Sequence, residues 1–528
     1  MTTDVLIVGA GPTGLMLANQ LARRGIRPMI IDRHSGPAQQ TRAMAVQART
    51  LEIYAKLGIA KRAVELGQPG YGANMWTHGK RQARIPLEDM GKDLSPFPYV
   101  LMLGQDDNER IMGEHLRQWE IAVQWNTELI ALEQSPSHVT ATIKNPDGTT
   151  KQITATYVAG CDGGRSAVRE MNGIGFPGAP YEHVFYVADT EVTGPMVPNE
   201  LNVYLWRNGF HLFFPMRGRD YWRVIGILPA HLQNKSDLRF EDLIPTLQEE
   251  GGTALSFTSC MWLSTYRIHH RCTERFRKQR CFLLGDAAHV HSPMGGQGMN
   301  TGLQDAYNLG WKLALVLSGR ADDALLDSYE AERKPVAERL LATTDRVFKM
   351  IVSDSRLAAV MRTRVITKVA AFAMSFRRVR KFAYMTISQT GIRYRKSPLS
   401  RTLAAPADAP RAGDRFPWLR VALQVNWPII DLYDELDDTR FNVIVVGQPA
   451  PAIDHLGYGE LLRVHTIPDD ERNARQLEAA AISSPSYYLV RPDGYIGLAG
   501  TRYDEAEVKR WLQDCRVRPE AQARHAAA

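Results

Sequence analysis

The chain opens with a strand, a glycine-spaced turn and a helix, an order that few folds accommodate. Asp4-Val5-Leu6-Ile7-Val8 is a short apolar run of the buried-strand kind. Gly9-Ala10-Gly11-Pro12-Thr13-Gly14 follows, and residues 13–24 then place Leu15, Leu17, Ala18 and Leu21 on one apolar side of a helix. Gly25 stands where a helix ends, and residues 28–31 read as a second strand, which completes a βαβ unit. Gly9 makes the tight turn, Gly11 lets a pyrophosphate approach the backbone, and Gly14 allows close packing of helix on strand. Asp32 comes 18 residues later, at the end of the second strand, where a carboxylate accepts from a ribose hydroxyl. The pattern predicts a dinucleotide on the helix N-terminus, held by Gly9, Gly11, Pro12, Thr13, Gly14, Asp32 and the adjoining Arg33.

At 528 residues the chain needs two or three domains. Five scattered cysteines, Cys161, Cys260, Cys272, Cys281 and Cys515, offer no paired spacing and point to a reducing compartment. No basic, then apolar, leader precedes the first strand, so a cytoplasmic location is expected. Stable membrane insertion is not: the most apolar stretch, residues 357–376, is broken by Arg362, Arg364 and Lys368. The net charge of +7 is a local effect. Residues 346–401 hold fourteen Lys and Arg against Asp354 alone, so the remainder is mildly acidic and no nucleic-acid module is indicated.

Further along, residues 49–54 read as helix, and residues 139–143 and 152–158 as a hairpin through Asn145-Pro146-Asp147-Gly148. Aromatic and β-branched runs between 185 and 260 predict a mostly antiparallel sheet. Residues 281–284 read as another buried strand, leading into Gly285-Asp286 and a helix from about Asn300 to Leu317.

Two later segments identify the dinucleotide. Cys161-Asp162-Gly163-Gly164-Arg165-Ser166-Ala167-Val168-Arg169 and Gly285-Asp286-Ala287-Ala288-His289-Val290-His291-Ser292-Pro293-Met294-Gly295-Gly296-Gln297-Gly298-Met299-Asn300 resemble the paired signatures of the class A flavoprotein monooxygenases. These are the aromatic hydroxylases acting on p-hydroxybenzoate, phenol and 3-(3-hydroxyphenyl)propionate, and with the first fingerprint the resemblance covers about residues 1–345. It implies FAD, with Asp286 on the ribityl chain and the backbone of Gly298, Met299 and Asn300 at the pyrimidine edge. It also implies Pro293 near the reactive face, Asp162 near FAD and the pyridine-nucleotide donor, and Arg42 and Gln105 on the flavin or its phosphates. The implied reaction consumes NADPH or NADH as a transient co-substrate and O2, and hydroxylates a small phenolic ring through a flavin C4a-hydroperoxide. An alternative is an FAD monooxygenase on a non-phenolic substrate, an epoxidase or a polyketide or antibiotic tailoring enzyme. Tyr204, His211, Tyr266 and His269 fall in the expected substrate sheet and are candidates for the proton relay a phenol needs. His289 and His291 have no further ligands nearby, so no metal is expected.

Gly413-Asp414-Arg415, Asp431-Leu432-Tyr433, residues 441–446 and Arg491-Pro492-Asp493-Gly494 resemble the thioredoxin-like appendage of phenol hydroxylase-type members. Cys515 is its only cysteine, so dithiol redox work is excluded and a packing or dimer role is expected in a monomer or homodimer. The expected fold is α/β: a Rossmann-like FAD-binding domain (1–180 and 276–345) with an interleaved substrate β-sheet domain (181–275), a basic helical connector (346–404), and a thioredoxin-like domain without CxxC (405–528). The connector reads as solvated helix faces, with a gate, an acidic-substrate attractor or a membrane-surface helix as alternatives. No Trp-x-Trp supports a halogenase, no dithiol a disulfide reductase, and the retained Gly285-Asp286 segment argues against a non-catalytic carrier.

Overall fold

The computed structural model describes the chain apart from residues 39–42, 207–208, 219, 234, 236, 252–253, 292–295, 353–368, 370–371 and 523–528. Thr2–Val8 lies between Met29–Ile31 and Thr150–Gly160 and runs parallel to both. Cys281–Leu283 extends the sheet, parallel to Thr150–Gly160. Val139–Lys144 pairs antiparallel with the outer part of Thr150–Gly160, so that one long strand is both a hairpin arm and a member of the parallel layer. Strands covered on both faces read as unbroken apolar runs, and Val5, Leu6 and Ile7 are fully buried. Helix Pro12–Ala22 packs on helix Gly298–Leu317 over this sheet.

Helix Gly298–Leu317 is buried at every position from Asn300 to Leu315, polar residues included. A helix buried all round must be walled on every side. One wall is the first sheet; another is a C-terminal five-stranded sheet, whose core holds Trp311 and Leu315 together with Phe441, Val443, Leu489 and Trp511. In that sheet Phe441–Val446 is parallel to Leu462–Ile467 and antiparallel to Ser486–Val490. Helix Glu505–Asp514 packs on one of its faces, helix Glu471–Ala479 on the other.

The remaining eight-stranded sheet carries Ser256–Cys272, Gly178–Thr193, Tyr221–Ile227, Gly209–Pro215 and Leu201–Trp206 as antiparallel neighbours. Alternation sorts their side chains to two faces. Tyr186, Tyr204, Phe213 and Trp222 point to one, with Leu247 of helix Ile244–Gly251; Val187, Phe214 and Ile225 point to the other, with Met44 and Ala45.

Two boundaries differ from the sequence reading. Gly72–Thr77 and Lys80–Pro86, assigned there to the 1–180 FAD-binding segment, extend the substrate sheet, Gly72–Thr77 running parallel to Leu201–Trp206. That pairing joins residues more than a hundred positions apart, so it is set by packing and not by local pattern. Arg401–Thr402, assigned to the 346–404 connector, pairs instead with Ile496–Gly500 of the C-terminal sheet. Much of the connector lies outside the described residues. Its described helices are the end of Asp327–Val352 and Arg377–Ile387.

Candidate active site

A cleft of about 1150 Å³ opens beside the first glycine turn, lined by Gly9, Gly11, Asp32, Arg33, Gln105 and Asp162 among others. The turn is built by exclusion. Gly9 has φ +103°, and a Cβ there would lie 2.4 Å from the Cys161 carbonyl oxygen. A Cβ on Gly14 would lie 1.9 Å from the Gly9 oxygen. Beyond Gly11 the space is open: a Cβ would meet nothing nearer than Glu109 Oε1 at 4.0 Å. Asp32 braces the turn, its Oδ2 accepting from Ala10 N at 2.7 Å and its Oδ1 from His34 N at 2.8 Å. Pro12 occupies the first turn of the helix, where its missing N–H costs nothing.

Asp162 lines the same cleft, its backbone packed against Gly9. Its Oδ2 accepts from Val168 N at 3.2 Å, and burial pushes its carboxyl above the usual range. Its Oδ1 is buried and has no partner among the described residues, an acceptor that suits a hydroxyl-bearing ligand. An anion-binding helix start with acceptors on both sides fits FAD, whose pyrophosphate and sugar-like hydroxyls require those two chemistries.

A second cavity of about 480 Å³ shares Gly11, Gln105, Cys161 and Gly163 with the cleft, so the two adjoin. Pro12, Thr13, Asp286, Gly298 and Met299 line its cofactor side. Gly285 is buried while Asp286 is exposed to the cavity. The N–H groups of Gly298, Met299 and Asn300 begin a helix and have no partner within it. The Asn300 side chain is committed elsewhere: Oδ1 accepts from Gln47 N (2.9 Å) and Thr50 Oγ1 (2.7 Å), and Nδ2 donates to Ala45 O (2.7 Å) and Gly296 O (2.8 Å). Gln105 donates to Glu109 Oε1 at 2.8 Å and borders both spaces. Arg42 and Pro293 lie outside the described residues.

The opposite wall belongs to the sheet. Phe214, Ile225, Tyr266, Arg267 and His269 line it, and His291 faces in from the cofactor side. Of the four sequence candidates for proton handling, only Tyr266 and His269 are here. Tyr204 and His211 sit on the other face: Tyr204 stacks on Trp76 at 5.4 Å, and His211 Nδ1 meets the Tyr186 hydroxyl at 2.8 Å. Burial pushes the His211 imidazole down to about 3, so the ring is neutral and a weak base. Neither residue lines the cavity. His211 lies three residues from Phe214 on one strand and Tyr204 pairs directly opposite His211, so alternation turns both away from the cavity. The same parity could have found Phe214 and Ile225 once one cavity residue was known.

Behind the Gly285-Asp286 segment lies a charge network that no motif announced. Asp305 Oδ2 accepts from Gly285 N (3.0 Å) and meets His289 Nε2 (2.8 Å); its Oδ1 accepts from Arg333 Nε (2.6 Å). Arg333 also donates to the Tyr394 hydroxyl (2.7 Å) and Thr301 O (3.1 Å). Burial alone would raise the Asp305 carboxyl, but Arg333 and His289 together hold it below the usual range. His289 in turn stacks on the cavity-facing His291, rings 6.4 Å apart. The neighbouring Glu332 accepts from Arg491 (2.5 and 3.0 Å), Lys312 (2.8 Å), Asn308 (2.7 Å) and Ser397 (2.6 Å), all buried. Among the described residues no group of three or more His, Cys, Asp or Glu could hold a metal.

Comparison with known proteins agrees with this geometry. Residues 2–344 match the family model described as FAD binding domain. The chain is 31% identical to a 6-methylpretetramide 4-monooxygenase of Streptomyces rimosus, over 98% of this chain and 94% of that protein. It is 32% identical to a pentachlorophenol 4-monooxygenase of Sphingobium chlorophenolicum, over 84% and 79%. Its fold superposes with a TM-score of 0.80 on an aklavinone-11 hydroxylase solved with FAD and aklavinone, at 25% identity over 97% of this chain and 99% of that one. The chain belongs to the FAD-binding-domain family and is an FAD-dependent monooxygenase of the class A aromatic-hydroxylase type.

Proposed function

We propose that the protein hydroxylates a phenolic ring of a polycyclic aromatic substrate, with NADPH or NADH and O2 as co-substrates. The observation that carries this reading is the cavity of about 480 Å³ between the Gly298–Met299 turn and the wall of Phe214, Ile225, Tyr266 and His269. The flavin ring would take the part of that space beside the Gly298–Met299 turn, and the remainder faces a largely apolar wall that suits an aromatic ring. The relatives acting on 6-methylpretetramide and aklavinone support the polycyclic reading, and the pentachlorophenol enzyme supports the phenolic one.

FAD, when bound, supplies hydride acceptance and oxygen activation. The chain's residues do the rest. Gly9, Gly11 and Gly14 would admit the pyrophosphate, Asp32, Asp162 and Asp286 would accept from the ribose and ribityl hydroxyls, and the helix-start N–H groups of 298–300 would favour negative charge beside them. Phe214 and Ile225 exclude water from the ring to be attacked. Tyr266 and His269, which line the cavity, would draw off the phenol proton and make the ring more electron-rich, and Arg267 would favour the resulting anion. The C-terminal sheet, parallel at one pair and antiparallel at the next, supports a thioredoxin-like appendage from about residue 401. Its single Cys515 is buried, which suits a packing role.

The test is anaerobic reduction of the holoenzyme by NADH and by NADPH, with mono- and polycyclic phenols, followed by admission of air. A polycyclic phenol should accelerate reduction and gain one oxygen atom, and Tyr266→Phe should shift the pH profile of turnover. Equal acceleration by every ring size, or peroxide as the sole product throughout, would overturn the reading.

A further inference from the structure

Helix Arg377–Ile387 joins the cavity to an outer surface of unusual character. At its inner end Tyr384 is buried and donates to Phe97 O at 3.0 Å. The Thr386 carbonyl accepts from Gln297 Nε2 at 3.1 Å, and Gln297 lines the cavity. Ile387 packs against the apolar cluster that contains Phe214 and Ile225. At the outer end, and in the turn before it, Phe372, Phe376 and Phe382 are 70%, 52% and 73% exposed. No other phenylalanine among the described residues is exposed. Phe372 and Phe376 meet edge to face, centroids 5.4 Å apart, and form one aromatic patch.

Around these rings stand Arg377, Arg378 and Lys381, all exposed. Arg378 precedes Phe382 by one helical turn, so cation and ring share a face. No counter-charge lies near them in sequence: from residue 355 to residue 407 there is no Asp or Glu, and Glu88 and Asp89 on the neighbouring helix Leu87–Gly91 form no ion pair with them among the described residues. Farther on, Arg395 and Arg401 find Asp414, Glu507 and Asp514. An exposed apolar cluster ringed by unpaired cations is the arrangement that binds an anionic lipid surface, the rings entering the headgroup–acyl boundary and the cations meeting phosphates.

We propose that this face docks the enzyme on a bilayer containing anionic phospholipid, with Phe372, Phe376 and Phe382 inserted and Arg377, Arg378 and Lys381 on the headgroups. A second copy of the chain is a poorer occupant, because two such faces would bring unpaired cations against each other. Docking there sets the Gln297 side of the cavity beside the bilayer.

The experiment is co-sedimentation of the holoenzyme with vesicles of phosphatidylcholine alone and of phosphatidylcholine mixed with phosphatidylglycerol, at low and high salt. Binding is expected only to the mixed vesicles, with release at high salt. Replacing all three phenylalanines by Ser, or making Arg378→Glu with Lys381→Glu, should lower partitioning about tenfold or more, with flavin content and melting temperature unchanged. Equal binding to both vesicles, no binding to either, or variants that bind like the parent would each overturn the proposal. So would a dimer in sedimentation velocity that the Phe372, Phe376 and Phe382 substitutions convert to monomer, which would assign the face to a second copy.

Discussion

The two ends of the cofactor cleft are held by different physics. At the first turn the restraint is steric and local in space: the Gly9 backbone stands against that of Cys161, the Gly14 Cα against the Gly9 oxygen, and Asp32 braces the turn from 22 residues away. At the second, the Gly285-Asp286 segment hangs from Asp305, which is tied through Arg333 to Tyr394, while the adjoining Glu332 receives Arg491 from the C-terminal sheet's hairpin turn. One end excludes atoms; the other balances buried charges. The contrast teaches that the phosphate end depends on close backbone contact, which a single added methyl group disrupts, while the ring end depends on a chain of charge pairs that reaches the C-terminal sheet.

The largest effect should come from the local end. Gly14→Ala places a methyl group 1.9 Å from the Gly9 oxygen, so the purified protein should lack flavin, read from its visible flavin absorbance relative to the protein band. A yellow, fully loaded variant would break the steric half of the comparison.

Next is the distant end. Glu332→Gln leaves Arg491 and Lys312 buried without a full counter-charge, at a cost of about 3–5 kcal/mol in denaturant unfolding. A loss confined to the C-terminal sheet, with flavin affinity intact, would show that the two parts are not coupled.

Asp305→Asn keeps the shape but weakens the bonds to Arg333 and His289. Flavin dissociation should rise about tenfold or more, and the flavin midpoint potential should move. The substitution also has a pH signature. Because the Asp305 carboxyl is held below its usual range in the folded chain, the unfolded chain binds more protons near pH 4. The stabilisation it contributes is complete above that region and lost as the pH falls through it. Asp305→Asn should therefore flatten the acid limb of the stability curve, and an unchanged limb would remove Asp305 from this account.

The smallest effect is that of Tyr394→Phe, which deletes one bond to Arg333 and leaves the ring against Tyr495. About 1 kcal/mol of stability and a correspondingly small change in flavin affinity are expected from thermal unfolding and flavin titration.

Legibility followed the same division. The first βαβ unit, the hairpin at residues 139–160 and the strand Phe441–Val446 could be read because each is specified by neighbours in sequence. The long strand pair of Gly72–Thr77 with Leu201–Trp206 could not, nor could the choice of Tyr266 and His269 over Tyr204 and His211. In a sheet, one residue of register moves a side chain from one face to the other, and a single sequence carries no marker of which face will meet the cofactor. Asp305, Glu332 and Arg333 were silent for a related reason: charged residues on a helix ordinarily signify a solvated face, and only the layer packed over them shows that they are buried.

By itself, then, the sequence determined that a dinucleotide binds, because backbone geometry at glycines and a helix start is local chemistry, and the family resemblance of Gly285-Asp286 and the turn to Asn300 implied that it is FAD. Only the tertiary structure decided which side chains face the cavity and what anchors its cofactor side. Those outcomes depend on strand register and on burial against residues far along the chain, and neither is a property of any short segment.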